Sequence, residues 1–203
     1  MFKNSKINKK NKIVVCLIIL ILCSCGAVYL VFPQKNIEFE NINKKNIVEI
    51  ISNLKNVNIH NKSVSIKLDE VNTSEVIKDI TKFEKFKLEF KENKLTLYIP
   101  TKVIGFIDTV NTSNFEVSEE NGAISLKLID AYLGKIKIPN SKVLKVLSDN
   151  SSEDFTVDEK NEKIYIKNKF INFTKAEVVD DKLNISCELN FNNMIGDFLK
   201  KRK

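Results

Sequence analysis

The residues able to do chemistry in this 203-residue chain are few and scattered. The sole histidine is His60. A nucleophile triad or a metal site needs converging partners around such a ring. His60 instead leads into Asn61-Lys62, which reads as a surface turn. The carboxylate pairs Glu119-Glu120 and Asp180-Asp181 would suit acid–base work only if held in unlike environments. Both fall at predicted turns, where acids are solvated. Five separated glycines make no phosphate-cradling loop. Of the four cysteines, Cys16, Cys23 and Cys25 lie in the first 32 residues. Cys187 stands alone, without a disulfide partner or a metal-type pair. It shares the apolar phase of Leu183, Ile185 and Leu189, so it reads as a core residue. No catalytic residue, cofactor or metal ligand is predicted, and the chain is not expected to be an enzyme. The one reactive pattern is Leu22-Cys23-Ser24-Cys25-Gly26. It looks like a bacterial lipoprotein processing site, with the Cys25 thiol as the lipid-bearing group and the apolar stretch before it as the signal core.

That pattern sits inside a larger element. Residues 13–32, with Ile13 at one end and Phe32 at the other, form a 20-residue run without a charge. At 1.5 Å per residue a helix of this length spans the roughly 30 Å core of a bilayer. The run stays apolar past Cys25, through Ala27, Val28, Tyr29, Leu30 and Val31. Two readings therefore remain: an intact transmembrane helix, or a cleaved and lipidated precursor. Lys3, Lys6, Lys9, Lys10 and Lys12 precede the run, and short basic flanks stay in the cytoplasm. Either reading tethers the rest of the chain to the outer side of the membrane. The chain divides into a basic cytoplasmic tail (1–12), the transmembrane helix (13–32), a juxtamembrane tether (33–46) and an extracytoplasmic domain (47–203).

The formal charge of +7 belongs to the ends. Without the leading lysines and the terminal Lys200, Lys201, Arg202 and Lys203, 24 basic residues face 26 acidic ones. A nearly neutral domain lacks the basic face that nucleic acid requires. The terminal cluster reads as a solvated tail.

Periodicity sets the fold class. Ile47, Ile50, Ile51 and Leu54 recur at helical spacing after an Asn43 or Asn46 cap. Val64, Ile66 and Leu68 alternate as a half-buried strand. A short helix follows over 73–80, capped by Asn72 or Thr73. Hairpins are expected across Glu92-Asn93, Asn121-Gly122, Lys160-Asn161 and Asp180-Asp181. Residues 103–110 read as a separate strand bent at Gly105. A strand with Ile136 and Ile138 stops at Pro139, and Asn140 or Ser141 caps a helix carrying Val143, Leu144, Val146 and Leu147. Residues 191–199 suggest a terminal amphipathic helix. The expected class is α+β, with a long curved antiparallel sheet packed against a few helices.

The segment Gly122-x-Ile124-x-Leu126, followed by Leu133-Gly134-x-Ile136-x-Ile138-Pro139 and a capped helix, resembles the YpmS-like proteins of Gram-positive bacteria. The resemblance implies one N-terminal transmembrane helix and an extracytoplasmic domain, and carries no catalytic residues with it. It covers most of the chain to about Leu189, more loosely over 82–110. The architecture is also similar to tubular lipid-binding proteins, which implies an apolar groove. Phe86, Phe90, Phe106, Phe115, Phe155, Phe170 and Phe173 then read either as sheet core or as the lining of a groove for an acyl chain. The partners expected are the membrane, a lipid or other apolar ligand, and an envelope protein. A docking module for an envelope enzyme or complex is the alternative, with the Lys137 face and the sheet edges as its contact surface.

Overall fold

The computed structural model describes residues 19, 20, 22, 26, 29–33, 35–39, 42, 58–60, 63–81, 83–149 and 151–190. The expected helices over 47–54 and 191–199 lie outside them, as do Ile13, Cys16, Cys23, Cys25 and the terminal basic cluster.

Beyond the helical residues of the N-terminal run, eleven strands and two helices are delimited among the described residues. They are β1 (Asn58–His60), β2 (Ser63–Leu68), α1 (Glu70–Ile80), β3 (Lys87–Lys91), β4 (Lys94–Val103), β5 (Ile107–Glu120), β6 (Ala123–Leu133), β7 (Ile136–Ile138), α2 (Asn140–Ser148), β8 (Phe155–Asp158), β9 (Lys163–Ile166), β10 (Ile171–Val179) and β11 (Lys182–Leu189). All pairing is antiparallel, so the fold is α+β and dominated by sheet.

The strands do not form the single long sheet expected. One four-stranded sheet runs β1-β2-β11-β10, and a seven-stranded sheet runs β3-β4-β5-β6-β9-β8, with β7 added beside β6. Each has an apolar face, and β10 packs across β5 and β6. A sheet with one oily face must cover it, and here the second sheet is the main cover, with helices at the margins. The shared core includes Ile66, Leu68, Leu88, Phe115, Leu128, Ile164, Phe173 and Ile185. Cys187 joins it at 1% exposure, and burial pushes its thiol up. Leu144 and Leu147 of α2 close the core against β6 and β8.

Local chemistry moves several boundaries. Helix α1 starts at Glu70 because the Asp69 carboxylate accepts the Asn72 backbone N–H at 2.8 Å, an N-cap ahead of the Asn72 or Thr73 expected. Residues 103–110 are not one bent strand. β4 runs on to Val103, the chain turns over Ile104-Gly105-Phe106, and β5 continues unbroken for 14 residues. Pro139 occupies the N-cap position of α2 without a side-chain cap. Asn140, expected to cap, donates instead to the Leu128 carbonyl at 3.4 Å and to Glu162 Oε2 at 3.2 Å. The remaining hairpins turn where the sequence places them, at Glu92-Asn93, Asn121-Gly122, Lys160-Asn161 and Asp180-Asp181.

Candidate functional site

The described part of the apolar run is helical at Ile19, Leu20, Leu22, Gly26 and residues 29–31. No helix among the described residues is long and apolar enough to cross a membrane. Ile19, Leu20 and Leu22 are between 53% and 67% exposed, so most of each side chain faces outward. The run's end is different, because it meets the sheet domain.

A helix ends with carbonyls that have no partner inside the helix. Here the domain supplies partners. The Lys135 backbone N–H donates to the Leu30 carbonyl at 2.8 Å. The Thr109 hydroxyl donates to the Val31 carbonyl. Gly134 N–H donates to Val110 at 3.0 Å and so locks the β6–β7 turn onto β5. Gly134 has φ +60°, and a Cβ there would stand 2.0 Å from the Val31 oxygen. Only glycine fits both the left-handed backbone and the close approach. The Lys135 ammonium lies 3.3 Å from the centre of the Tyr29 ring, a cation–π contact.

The motif Leu133-Gly134-x-Ile136-x-Ile138-Pro139 is thus the clasp on the helix end and the start of α2. Leu133 pairs with Ile136 and Ala131 with Ile138 across the turn. Ile136 and Lys137 face outward, and Pro139 ends the strand because it has no N–H to donate.

Beyond the clasp the tether is held again. Lys35 Nζ is 2.8 Å from Glu89 Oε1, and the Tyr98 hydroxyl donates to Glu89 Oε2 at 2.9 Å. Burial pushes the Glu89 carboxyl up, but Lys35, Tyr98 and Lys87 outweigh it and hold the group below the usual carboxylate range. Burial and the Glu89 charge push the Tyr98 hydroxyl up to about 12. Between clasp and ion pair lies a cleft of about 340 Å³, lined by Pro33, Ile37, Phe39, Pro100, Lys102 and Val110 among others.

The interior of the sandwich is filled. Its residual cavity, among Leu68, Ile77, Leu126, Phe173 and Ile185, is about 30 Å³. An apolar ligand site takes roughly 300–1,000 Å³. This cavity is too small to hold an acyl chain. Phe86, Phe90, Phe115, Phe155 and Phe173 are buried core, and Phe170 packs against it. Phe106 breaks the pattern: it is 72% exposed at the β4–β5 turn.

The other chemical candidates do not converge. Glu119 Oε1 accepts the Gly122 backbone N–H at 2.8 Å, a turn contact. Glu120 pairs with Lys163 at 2.6 Å, which lowers the carboxyl and raises the ammonium. Asp180 and Asp181 form the β10–β11 turn with φ of 53° and 54°. No group of three or more His, Cys, Asp or Glu converges among the described residues.

Neither clasp nor cleft was legible as a site in the sequence. Leu-Gly-x-Ile-x-Ile-Pro stood out as a motif, but nothing in it names Leu30 and Val31 as its partners. No family model matches the chain, and no curated protein or solved structure proves similar to it.

Proposed function

We propose that this chain is a single-pass, membrane-anchored extracytoplasmic protein that acts as a binding module, not an enzyme, with a lipid of the outer leaflet as its ligand. The observation that carries the reading is the capped helix end. A domain that satisfies the last carbonyls of an apolar run is seated on that run, not hung from it by a loose linker. The five leading lysines keep the N-terminus cytoplasmic, which puts the domain outside. Tyr29 and Lys135 would then sit at headgroup depth, where aromatic rings and long cationic side chains are favoured. The filled interior moves the ligand site from the sandwich to the cleft beside Pro33 and Pro100. The YpmS-like pattern agrees with this placement.

Native mass spectrometry of the full chain released from detergent tests the ligand. Thr101 also lines the cleft, so a lipid adduct should persist in the wild-type protein and fall several-fold in Thr101→Trp, which fills it. Clean protein with no adduct in either form would reject the lipid. The alternative, an envelope-protein docking module, is favoured by the small core cavity and by the edge strand β8. Processing at Cys25 has its own test. With an intact helix, Cys25→Ala leaves membrane retention unchanged; loss of palmitate label on that change would demonstrate lipidation.

A further inference from the structure

The β4–β5 turn carries two of the most exposed large apolar side chains of the described domain, Ile104 at 77% and Phe106 at 72%. The backbone makes this more unusual. Among the described residues seven non-glycine residues have positive φ, and six are Glu, Asn or Asp at turns; Ile104, at φ 54°, is the exception. A β-branched residue in the left-handed region is an outlier that Asn or Gly would relieve. Neither packing nor backbone conformation accounts for isoleucine there. Pairing runs to Val103 opposite Ile107, so the turn stands on a fully bonded ladder. Thr109, three residues beyond Phe106, holds the Val31 carbonyl at the helix end. At about 3.3 Å per residue the tip is then only about 10 Å along β5 from that contact. Lys102 flanks the tip, largely exposed, with the Asp108 carboxylate 3.7 Å from its ammonium.

We infer that Ile104-Gly105-Phe106 is a wedge that inserts into the outer leaflet beside the apolar run, its two side chains at the headgroup–acyl boundary and Lys102 among the headgroups. The inference rests on the anchored reading above. An apolar tip with a cationic neighbour is the chemistry of interfacial insertion, which reaches roughly 5–10 Å into the bilayer. Two attachments, helix and wedge, would fix the tilt of the sandwich as well as its distance from the surface.

The chain has no tryptophan, so a single Trp reports alone. Full-length Phe106→Trp is reconstituted into phosphatidylcholine–phosphatidylglycerol vesicles, with Val71→Trp on α1, an exposed site, as the control. The wedge predicts blue-shifted emission at 106, several-fold stronger quenching by lipids brominated high on the acyl chain than in the control, and weak acrylamide quenching. Ile104→Asn in the Phe106→Trp background should fold and lose most of the lipid quenching. Protein that floats with the vesicles while Trp at 106 stays red-shifted and open to acrylamide overturns the wedge alone, and is also what a protein partner at the tip would give. Protein that does not float overturns the anchor and the wedge together.

Discussion

Gly134 is the residue on which the junction depends most. Its φ of +60° disfavours any side chain, and a Cβ would collide with the Val31 carbonyl. Gly134→Ala should cost about 1–3 kcal/mol where a left-handed backbone is forced on a substituted residue. The loss should appear as faster tryptic cleavage at Lys35 in the full chain, with the far-UV circular dichroism unchanged. Cys187 makes the opposite prediction. Buried at 1%, with its thiol pushed up, it should resist thiol reagents at pH 8 until the domain unfolds, as read by peptide mass mapping. The core role of Cys187 was legible because a period-two apolar phase places it inward. The clasp was not, because a glycine's partner across about a hundred residues leaves no trace in local spacing. Ile104 and Phe106 were misread for a related reason. Apolar residues at a turn imitate a strand, so residues 103–110 looked continuous.

At the scale of elements, β5 is the spine. Fourteen residues at about 3.3 Å each give a strand about 45 Å long. One end meets the helix through Thr109. The other ends in the Asn121-Gly122 turn, where the Gly122 carbonyl accepts the Phe173 N–H at 3.1 Å and ties down β10. The Lys35–Glu89 contact braces the tether against β3. Because the Glu89 pKa is lowered in the fold, the brace contributes fully above the ordinary carboxylate range and is lost as the pH falls through the lowered pKa. Glu89→Gln should therefore be cleaved fast at Lys35 at neutral pH already. Helix α2 is held by burial: Leu144 is 0% exposed, and Leu144→Ala should cost about 2–5 kcal/mol in urea denaturation. The hairpins at Glu92-Asn93, Asn121-Gly122, Lys160-Asn161 and Asp180-Asp181 were read correctly, because Asn, Asp and Gly there carry the turn chemistry themselves; the turns holding Gly105 and Gly134 lie among apolar residues and were not.

For the whole molecule, sheet-rich α+β followed from alternation, but the division into two sheets did not. Alternation says which face is oily, not whether a helix or another sheet covers it. The two sheets meet where β10 crosses β5 and β6, a contact between strands far apart in the chain. That arrangement leaves a cavity of only about 30 Å³ in the core, and the larger cleft lies at the junction. The account stands on which side of the membrane the sandwich occupies. Protease added to intact, wall-stripped cells carrying a C-terminally tagged chain measures this directly. The account predicts that the tagged domain is digested while cytoplasmic proteins survive. A domain that stays protected until the cells are lysed would contradict it.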